Sequence, residues 1–199
     1  MKINTAAIIG AGAIGAYLWW GIHEKLGDDI CFIASGTRRD RLEKEGIILN
    51  GQSYRPIVKT PARAHGTDLL IIATKYGALK TILSDIKEIT AENTTIMSVL
   101  NGVDSEEIIS EVVDPSQIIY SLIRIASQRT GNKIDYDKGD IGGLFFGIPN
   151  SKSASNERIN ALDALFGDTP LIYHVCDDIL TEQWSKYAWI CHTIFLRQF

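Results

Sequence analysis

A glycine-rich segment near the N-terminus constrains the fold of this chain more than any other feature. Residues 8–15 read Ile-Ile-Gly-Ala-Gly-Ala-Ile-Gly and contain the pattern G-x-G-x-x-G. Residues 5–9 are apolar without polar alternation, which is typical of a strand buried on both faces. Residues 16–22 keep an apolar face at helical spacing, and Gly27 is expected to end that helix. The glycines therefore lie at a predicted turn between a buried strand and a helix.

Each glycine of this turn has its own physical role. Gly10 permits a tight turn, Gly12 lets a pyrophosphate approach the backbone, and Gly15 lets the helix pack closely on the strand. Phosphates would meet free N–H groups at the positive end of the helix. The alternative is a tight turn without a ligand. We predict a dinucleotide site formed by Gly10, Ala11, Gly12, Ala13, Ile14 and Gly15.

The end of the second predicted strand, residues 30–34, indicates which dinucleotide binds. An NAD site needs a carboxylate there for the ribose 2′-hydroxyl, but the chain continues Ser-Gly-Thr-Arg-Arg before Asp40. Hydroxyl and guanidinium donors suit a 2′-phosphate instead. The sequence therefore predicts NADP(H), with Ser35 and Arg38 among its ligands. Arg39 is the alternative to Arg38, and either arginine alone could simply begin a solvated helix.

Composition narrows the function classes. The net charge of −4 over 199 residues argues against nucleic acid or an anionic membrane as a partner. Three widely separated cysteines and the lack of a signal peptide or spanning segment predict a reducing cytoplasm. The four histidines do not cluster at metal-ligand spacing, so no metal site is predicted.

Strand and helix patterns alternate through the first two thirds of the chain. This alternation predicts an α/β fold, a Rossmann-type doubly wound and mostly parallel sheet. We expect a hairpin over residues 47–54 at Asn-Gly, a helix N-cap at Ser105, and an antiparallel pair formed by residues 133–136 and 143–147. The expected domains are residues 1–170, which bind the dinucleotide, and residues 171–199, which begin an all-α domain.

Four segments that carry chemistry follow predicted strands. They are the glycine loop, residues 35–39, Thr74 with Lys75, and Asn101. Ligands of an open α/β sheet bind outside the carboxyl ends of its strands. Since the four segments come from distant parts of the sequence, their expected meeting at one edge is stronger evidence than any one segment.

The chain resembles the ketopantoate reductase (2-dehydropantoate 2-reductase) family. The matching pieces run in the family's order across nearly the whole chain. They are residues 8–15, Phe-Ile-Ala at 32–34, Ala-Thr-Lys at 73–75, Leu-Asn-Gly-Val at 100–103, Asp-Asp-Ile at 177–179 and Trp-Ser-Lys at 184–186.

The resemblance implies reduction of a 2-oxo acid by NADPH, as in pantothenate biosynthesis. Lys186 matches the family's catalytic lysine, which protonates the developing alkoxide. Lys75 and Asn101 match positions near the nicotinamide ribose and the substrate, and Asn101 can donate and accept at once. Without the resemblance, Lys186 reads as an exposed helix lysine, Lys75 as a helix start and Asn101 as part of a turn.

The chain departs from the family at two places. Ser35 stands where many relatives carry an arginine, and Ile190 and Ile194 stand where the family has asparagines. The family also continues with a helical substrate domain beyond Phe199, so we expect the chain to be truncated. Codons for residues 190–199 can be chosen so that one additional base before codon 190 gives asparagine at both positions. We therefore predict that a one-base deletion near codon 190 changed the reading frame. The sequence of the coding DNA tests this prediction.

Two functions from different classes follow. The first is an NADPH-dependent 2-oxo acid reductase whose turnover is impaired in this chain; a relative that reduces another 2-oxo acid is a variant of it. The second is a dinucleotide-binding module without catalysis. We also expect homo-oligomers through the apolar surface around Trp184 and Trp189.

Overall fold

The computed structural model describes residues 1–150 and 153–196, without the side chains of residues 138, 140, 141, 154 and 193–196. The strands are β1 (Ala6–Ile9), β2 (Ile30–Ile33), β3 (Ile47–Leu49), β4 (Gln52–Tyr54), β5 (Ile57–Lys59), β6 (Leu69–Ile72), β7 (Thr95–Ser98), β8 (Ile118–Thr130), β9 (Lys133–Gly147) and β10 (Tyr173–Cys176). The α-helices are α1 (Ala13–Leu26), α2 (Gly36–Glu45), α3 (Leu83–Ile89), α4 (Ser105–Ser110), α5 (Glu157–Phe166) and α6 (Ile179–Leu196). Short 3-10 turns connect several of these elements, the longest at Tyr76–Ile82.

The strands form one mixed sheet in the order β4-β3-β9-β8-β7-β6-β1-β2-β5, and β10 pairs with β9. The six strands from β8 to β5 run parallel to their neighbours. Their carboxyl ends therefore lie at one edge. The predicted Rossmann-type, mostly parallel α/β fold is confirmed.

Helices cover both faces of the parallel part, and this explains the apolar runs in the sequence. In β1, Ala6 and Ile8 pack on the side of α1, while Ala7 and Ile9 pack on the side of α3. All four side chains are at most 5% exposed. A strand between two helical layers needs apolar residues at every position, because successive side chains point to opposite faces.

The hairpin predicted over residues 47–54 is confirmed, with Asn50 and Gly51 both at positive φ between β3 and β4. Such angles are what a two-residue turn of this kind requires. Ser105 is not the N-cap of α4, since Asp104 precedes the helix and Ser105 is its buried first residue. The strands β5 and β10 were not predicted.

The predicted antiparallel pair of residues 133–136 and 143–147 is wrong. Both segments belong to the single strand β9, which pairs along its length with β8. The turn lies earlier, at residues 131–132 between Thr130 and Lys133. The glycines between the two segments accompany register shifts opposite Arg124 and Ile125, as expected for a bulged strand.

The predicted division into residues 1–170 and 171–199 stays a prediction. The second segment contributes β10 to the sheet before α6 begins. Of the expected frame-shifted tail, residues 197–199 lie outside the described residues. Within the described ranges, no helix combines the length and the apolar character that crossing a bilayer requires.

Candidate active site

At two positions of the N-terminal loop, contacts within the protein leave no room for a side chain. Gly10 has φ +112°, and a Cβ there would stand 2.5 Å from the carbonyl oxygen of Ala73. A Cβ on Gly15 would overlap the carbonyl oxygen of Gly10. The first glycine therefore makes the turn and the third allows close packing of α1 on the loop.

Gly12 is different, because no contact with the described residues requires a glycine there. Its φ is −82°, which any residue adopts, and the nearest atom to a Cβ would be the oxygen of Ala73 at 4.0 Å. Gly12 is also the N-cap of α1, with no side-chain hydrogen bond to the cap and no acidic residue in the first turn. Open space over a helix N-terminus without a carboxylate fits a phosphate group.

The residues after β2 lie beside this loop, because β1 and β2 are neighbours in the sheet. Ser35 is the exposed N-cap residue of α2 and makes no side-chain cap hydrogen bond. The Arg39 guanidinium is paired with Glu43 one turn later, with Nε 2.7 Å from Oε1. Arg38 is exposed, and no described residue forms an ion pair with it. Arg38 is therefore the better placed of the two arginines for a further anion.

A cavity of about 710 Å³ lies at the carboxyl ends of β1, β6 and β7, within the size range of ligand sites. Its lining includes Ile14 of the predicted loop, and both Asn101 and Lys186. Thr74 of the predicted segment also lines it, whereas the remaining loop residues, Ser35, Arg38 and Lys75 lie outside this lining. The full lining is Ile14, Ala73, Thr74, Val99, Leu100, Asn101, Ile123, Arg124, Ile125, Ala126, Ser127, Gly142, Ser185, Lys186, Trp189 and Ile190.

Lys186 and Asn101 are in direct contact in this cavity. The ammonium Nζ of Lys186 donates a hydrogen bond to Oδ1 of Asn101 at 2.9 Å. Burial, and secondarily the positive charge of Arg124, lower the pKa of Lys186 to about 8. The lysine is therefore still protonated near neutral pH but is a stronger acid than an ordinary lysine.

A buried polar cluster anchors α6 one turn before Lys186. Nε2 of Gln183 donates to Oε1 of Glu106 at 2.8 Å and to the carbonyl oxygen of Ser121 at 3.1 Å. Glu106, only 1% exposed, also accepts from Ser105 Oγ at 2.7 Å. Burial raises the pKa of Glu106 above its usual value, although these hydrogen bonds act against the rise. The cluster fixes the position of α6 against α4 and β8.

The structure adds Arg124 of β8 to the cavity wall. Its Nη2 is 2.6 Å from Oε2 of Glu182 on α6, and its Cζ lies 4.6 Å from the centroid of the Phe145 ring. No motif in the sequence marks this arginine, which lies within a mostly apolar strand. A charged side chain within such a strand is the signal that could have identified it.

Thr74 and Lys75, which follow β6, have different surroundings. Thr74 lines the cavity, and its buried Oγ1 has no hydrogen-bond partner among the described residues. An unpaired buried hydroxyl is costly, so it fits a polar ligand group in the cavity. The Lys75 side chain is exposed at the start of the 3-10 turn.

The parallel sheet, the glycine loop and the cavity at the strand ends together define a Rossmann-type α/β protein. A family model described as "Ketopantoate reductase PanE/ApbA" matches residues 6–150. The chain belongs to this ketopantoate reductase family, as its resemblance predicted.

Three similar proteins illustrate the relationship. An uncharacterized oxidoreductase of Bacillus subtilis is 25% identical over 187 residues, which cover 92% of this chain and 61% of that protein. The 2-dehydropantoate 2-reductase of a Nostoc species is 21% identical, with 95% and 61% covered. A structure of D-mandelate dehydrogenase with NADH and anilino(oxo)acetate has a TM-score of 0.76 at 20% identity, with 92% and 60% covered. The chain thus spans about 61% of the length of these two relatives.

Proposed function

We propose that this protein reduces a 2-oxo acid to the 2-hydroxy acid with NADPH, and that its substrate is 2-dehydropantoate, as in pantothenate biosynthesis. One observation carries the proposal. The half-buried ammonium of Lys186 contacts Asn101 inside a cavity that adjoins the glycine loop. The name of the Nostoc relative and the 2-oxo acid analogue bound to D-mandelate dehydrogenase support the same chemistry.

The cofactor side of the proposal rests on the loop. The residues Gly10, Ala11, Gly12, Ala13, Ile14 and Gly15 hold the pyrophosphate, and the open space at Gly12 supports this role. Ser35 and Arg38 bind the 2′-phosphate, because Arg39 is already engaged by Glu43. Lys75 and Asn101 contact the nicotinamide ribose. When bound, NADPH supplies the hydride.

In this proposal Lys186 donates the proton and Asn101 positions Lys186. The Lys186 ammonium donates a hydrogen bond to the ketone oxygen of the substrate, stabilises the negative charge that develops there and transfers its proton to the alkoxide. Asn101 accepts a hydrogen bond from Nζ and so holds the ammonium in place. The lowered pKa of about 8 eases this proton transfer near neutral pH.

Two measurements test the proposal. Isothermal titration with NADPH and with NADH measures binding and cofactor preference, and NADPH oxidation with 2-dehydropantoate measures turnover. We expect NADPH to bind more tightly than NADH and the 2-oxo acid to be reduced. The same assay tests the expectation that turnover is impaired. Binding without turnover would indicate the non-catalytic dinucleotide-binding module, and binding of neither dinucleotide would contradict both functions.

We also propose that copies of this chain associate through α6. The side chains of Trp184 and Trp189 on this helix are 56% and 65% exposed. Large apolar side chains that stay exposed can mark an interaction surface. Light scattering should give a mass above that of one chain, and a double change of Trp184 and Trp189 to Gln should lower it. A single-chain mass at high concentration would contradict this.

A further inference from the structure

Arg124 is a second cation in the candidate active site. It lies on the cavity wall together with Lys186, and the cavity lining contains no aspartate or glutamate among the described residues. Most of the other lining side chains are apolar. Charges in such surroundings act more strongly on a ligand than they would in water. The lining therefore favours a ligand that carries negative charge.

We propose that Arg124 binds the carboxylate of the 2-oxo acid, while Lys186 faces the ketone oxygen. This inference rests on the proposed function and names the group that orients the substrate. In a 2-oxo acid the carboxylate and the ketone are on adjacent carbon atoms. Two neighbouring cationic side chains can therefore engage both groups of one molecule.

The guanidinium of Arg124 is oriented but not saturated. The face of Phe145 lies 4.6 Å from Cζ, and the contact with Glu182 uses Nη2 at 2.6 Å. Arginine carries five N–H donors, so Nε and Nη1 keep donors for a carboxylate. Arginine binds carboxylates well because its donors form a fixed fork. Phe145 and Glu182 thus hold the fork in place before a ligand arrives.

The charges at this site explain why an anion would be held. Arg124 and Lys186 are close enough for the positive charge of Arg124 to contribute to the lowered pKa of Lys186. A carboxylate bound to Arg124 would offset the repulsion between the two cations. Glu182 partly neutralises Arg124 in the free protein and so competes with the ligand for the guanidinium.

This competition gives two variants with opposite expected effects. Arg124→Met removes the binding cation but keeps an unbranched apolar stem. Glu182→Gln removes the competing negative charge, while the amide oxygen of the glutamine can still accept a hydrogen bond from Nη2 and Phe145 still flanks the guanidinium. Arg63→Met is the matched control, because Arg63 is an exposed arginine on a 3-10 turn outside the cavity.

The test is calorimetric binding of anilino(oxo)acetate and of its uncharged ethyl ester, each in the presence of saturating NADP⁺. With the oxidised dinucleotide no hydride is available, so binding is measured without turnover. We expect Arg124→Met to weaken binding of the acid about tenfold or more, as loss of a charged hydrogen bond does, and to leave the ester and NADP⁺ unchanged. Glu182→Gln should tighten binding of the acid, and Arg63→Met should change neither ligand.

Several results would overturn the inference. The first is that Arg124→Met binds the acid as tightly as the wild type does. The second is that Arg124→Met loses the same affinity for the acid and for the ester. The third is that the wild type does not bind the acid. A failure of the proposed function would give a different result. If the acid binds in an Arg124-dependent way but NADPH is never oxidised, the carboxylate site stands and the reductase activity does not.

Discussion

Lys186 donates a hydrogen bond from Nζ to Oδ1 of Asn101 over 2.9 Å, although the two residues are 85 positions apart. Asn101 follows β7 at the carboxyl edge of the sheet, and Lys186 lies on α6. The contact therefore joins the parallel sheet to the helix that ends the described chain, and it does so inside the cavity.

The first prediction concerns pH. Since the pKa of Lys186 is lowered to about 8, its ammonium is protonated below that pH and loses its proton above it. The rate of 2-oxo acid reduction should therefore fall as pH rises through about 8. Lys186→Met should lower kcat by about 10²–10⁴-fold, the usual contribution of a general acid, without weakening NADPH binding. Steady-state rates between pH 6 and 10 measure both effects.

A change at Asn101 gives a check on that assignment. Asn101→Asp places a carboxylate beside Nζ, and an opposite charge raises the pKa of a lysine. The fall in rate should then move to higher pH, whereas Asn101→Ala should not move it upward. An unchanged profile in the aspartate variant would assign the pH dependence to another group.

The second prediction distinguishes Gly12, where glycine makes room for the ligand, from Gly15, where glycine allows close packing. Gly12→Ala should fold, with only a small loss of stability from the altered N-cap, because its Cβ meets nothing closer than 4.0 Å. Its affinity for NADPH should fall about tenfold or more, since a methyl group would intrude on the pyrophosphate. Isothermal titration and thermal melting measure the two effects.

Gly15→Ala is the matched control, because its Cβ would overlap the carbonyl oxygen of Gly10. It should lose about 1–3 kcal/mol of stability, as overpacking does. If Gly12→Ala instead bound NADPH like the wild type, the loop would not hold the pyrophosphate as proposed.

The third prediction concerns cofactor preference. Arg38→Gln should weaken NADPH binding by about 1.5–3 kcal/mol, the value of a hydrogen bond to a charged group, and leave NADH binding unchanged. Arg39→Gln should change both affinities little, because Arg39 is paired with Glu43. Titration of each variant with both dinucleotides gives the preference. If Arg39→Gln weakened NADPH binding and Arg38→Gln did not, Arg39 would be the residue that binds the 2′-phosphate.

The fourth prediction concerns the buried carboxyl of Glu106. Because its pKa is raised in the folded protein above the usual 4.5, the folded state keeps a proton that the unfolded state loses. Stability should therefore fall as pH rises from about 4.5 toward the raised pKa. In Glu106→Gln this fall should be absent. Urea unfolding between pH 4.5 and 8 measures the difference.

Glu107→Gln provides the control for this experiment, since Glu107 is the exposed neighbour of Glu106 on α4. It should follow the wild-type dependence on pH. Curves for the wild type and Glu106→Gln that run parallel over the whole range would show that Glu106 is not the titrating group.

The parts of the fold that the sequence predicts are those encoded by neighbouring residues. The roles of Gly10 and Gly15 follow from their spacing, and the Asn-Gly turn at residues 50–51 needs no distant partner. The parallel order of the strands follows from their alternation with helices. The family resemblance assigns Asn101 and Lys186 to one site, but nothing in their sequence spacing predicts the hydrogen bond between them.

The parts that could not be predicted depend on contacts between distant residues. Gln183 reaches Glu106 over 77 positions, and Arg124 reaches Glu182 over 58. Neither pair has a spacing or motif that marks it in the sequence. The single long strand β9 was missed for a related reason, because its pairing with β8 outweighs the local preference of its glycines for a turn.

The strand β8 touches both halves of the candidate site. Near its outer end, Arg129 donates a hydrogen bond from Nη1 to the carbonyl oxygen of Ala11 in the glycine loop at 2.6 Å. Five positions earlier, Arg124 lies on the cavity wall. Residues 124–129 of β8 therefore join the glycine loop to the wall of the cavity. A shift of Ala11 would act on the same strand that carries Arg124.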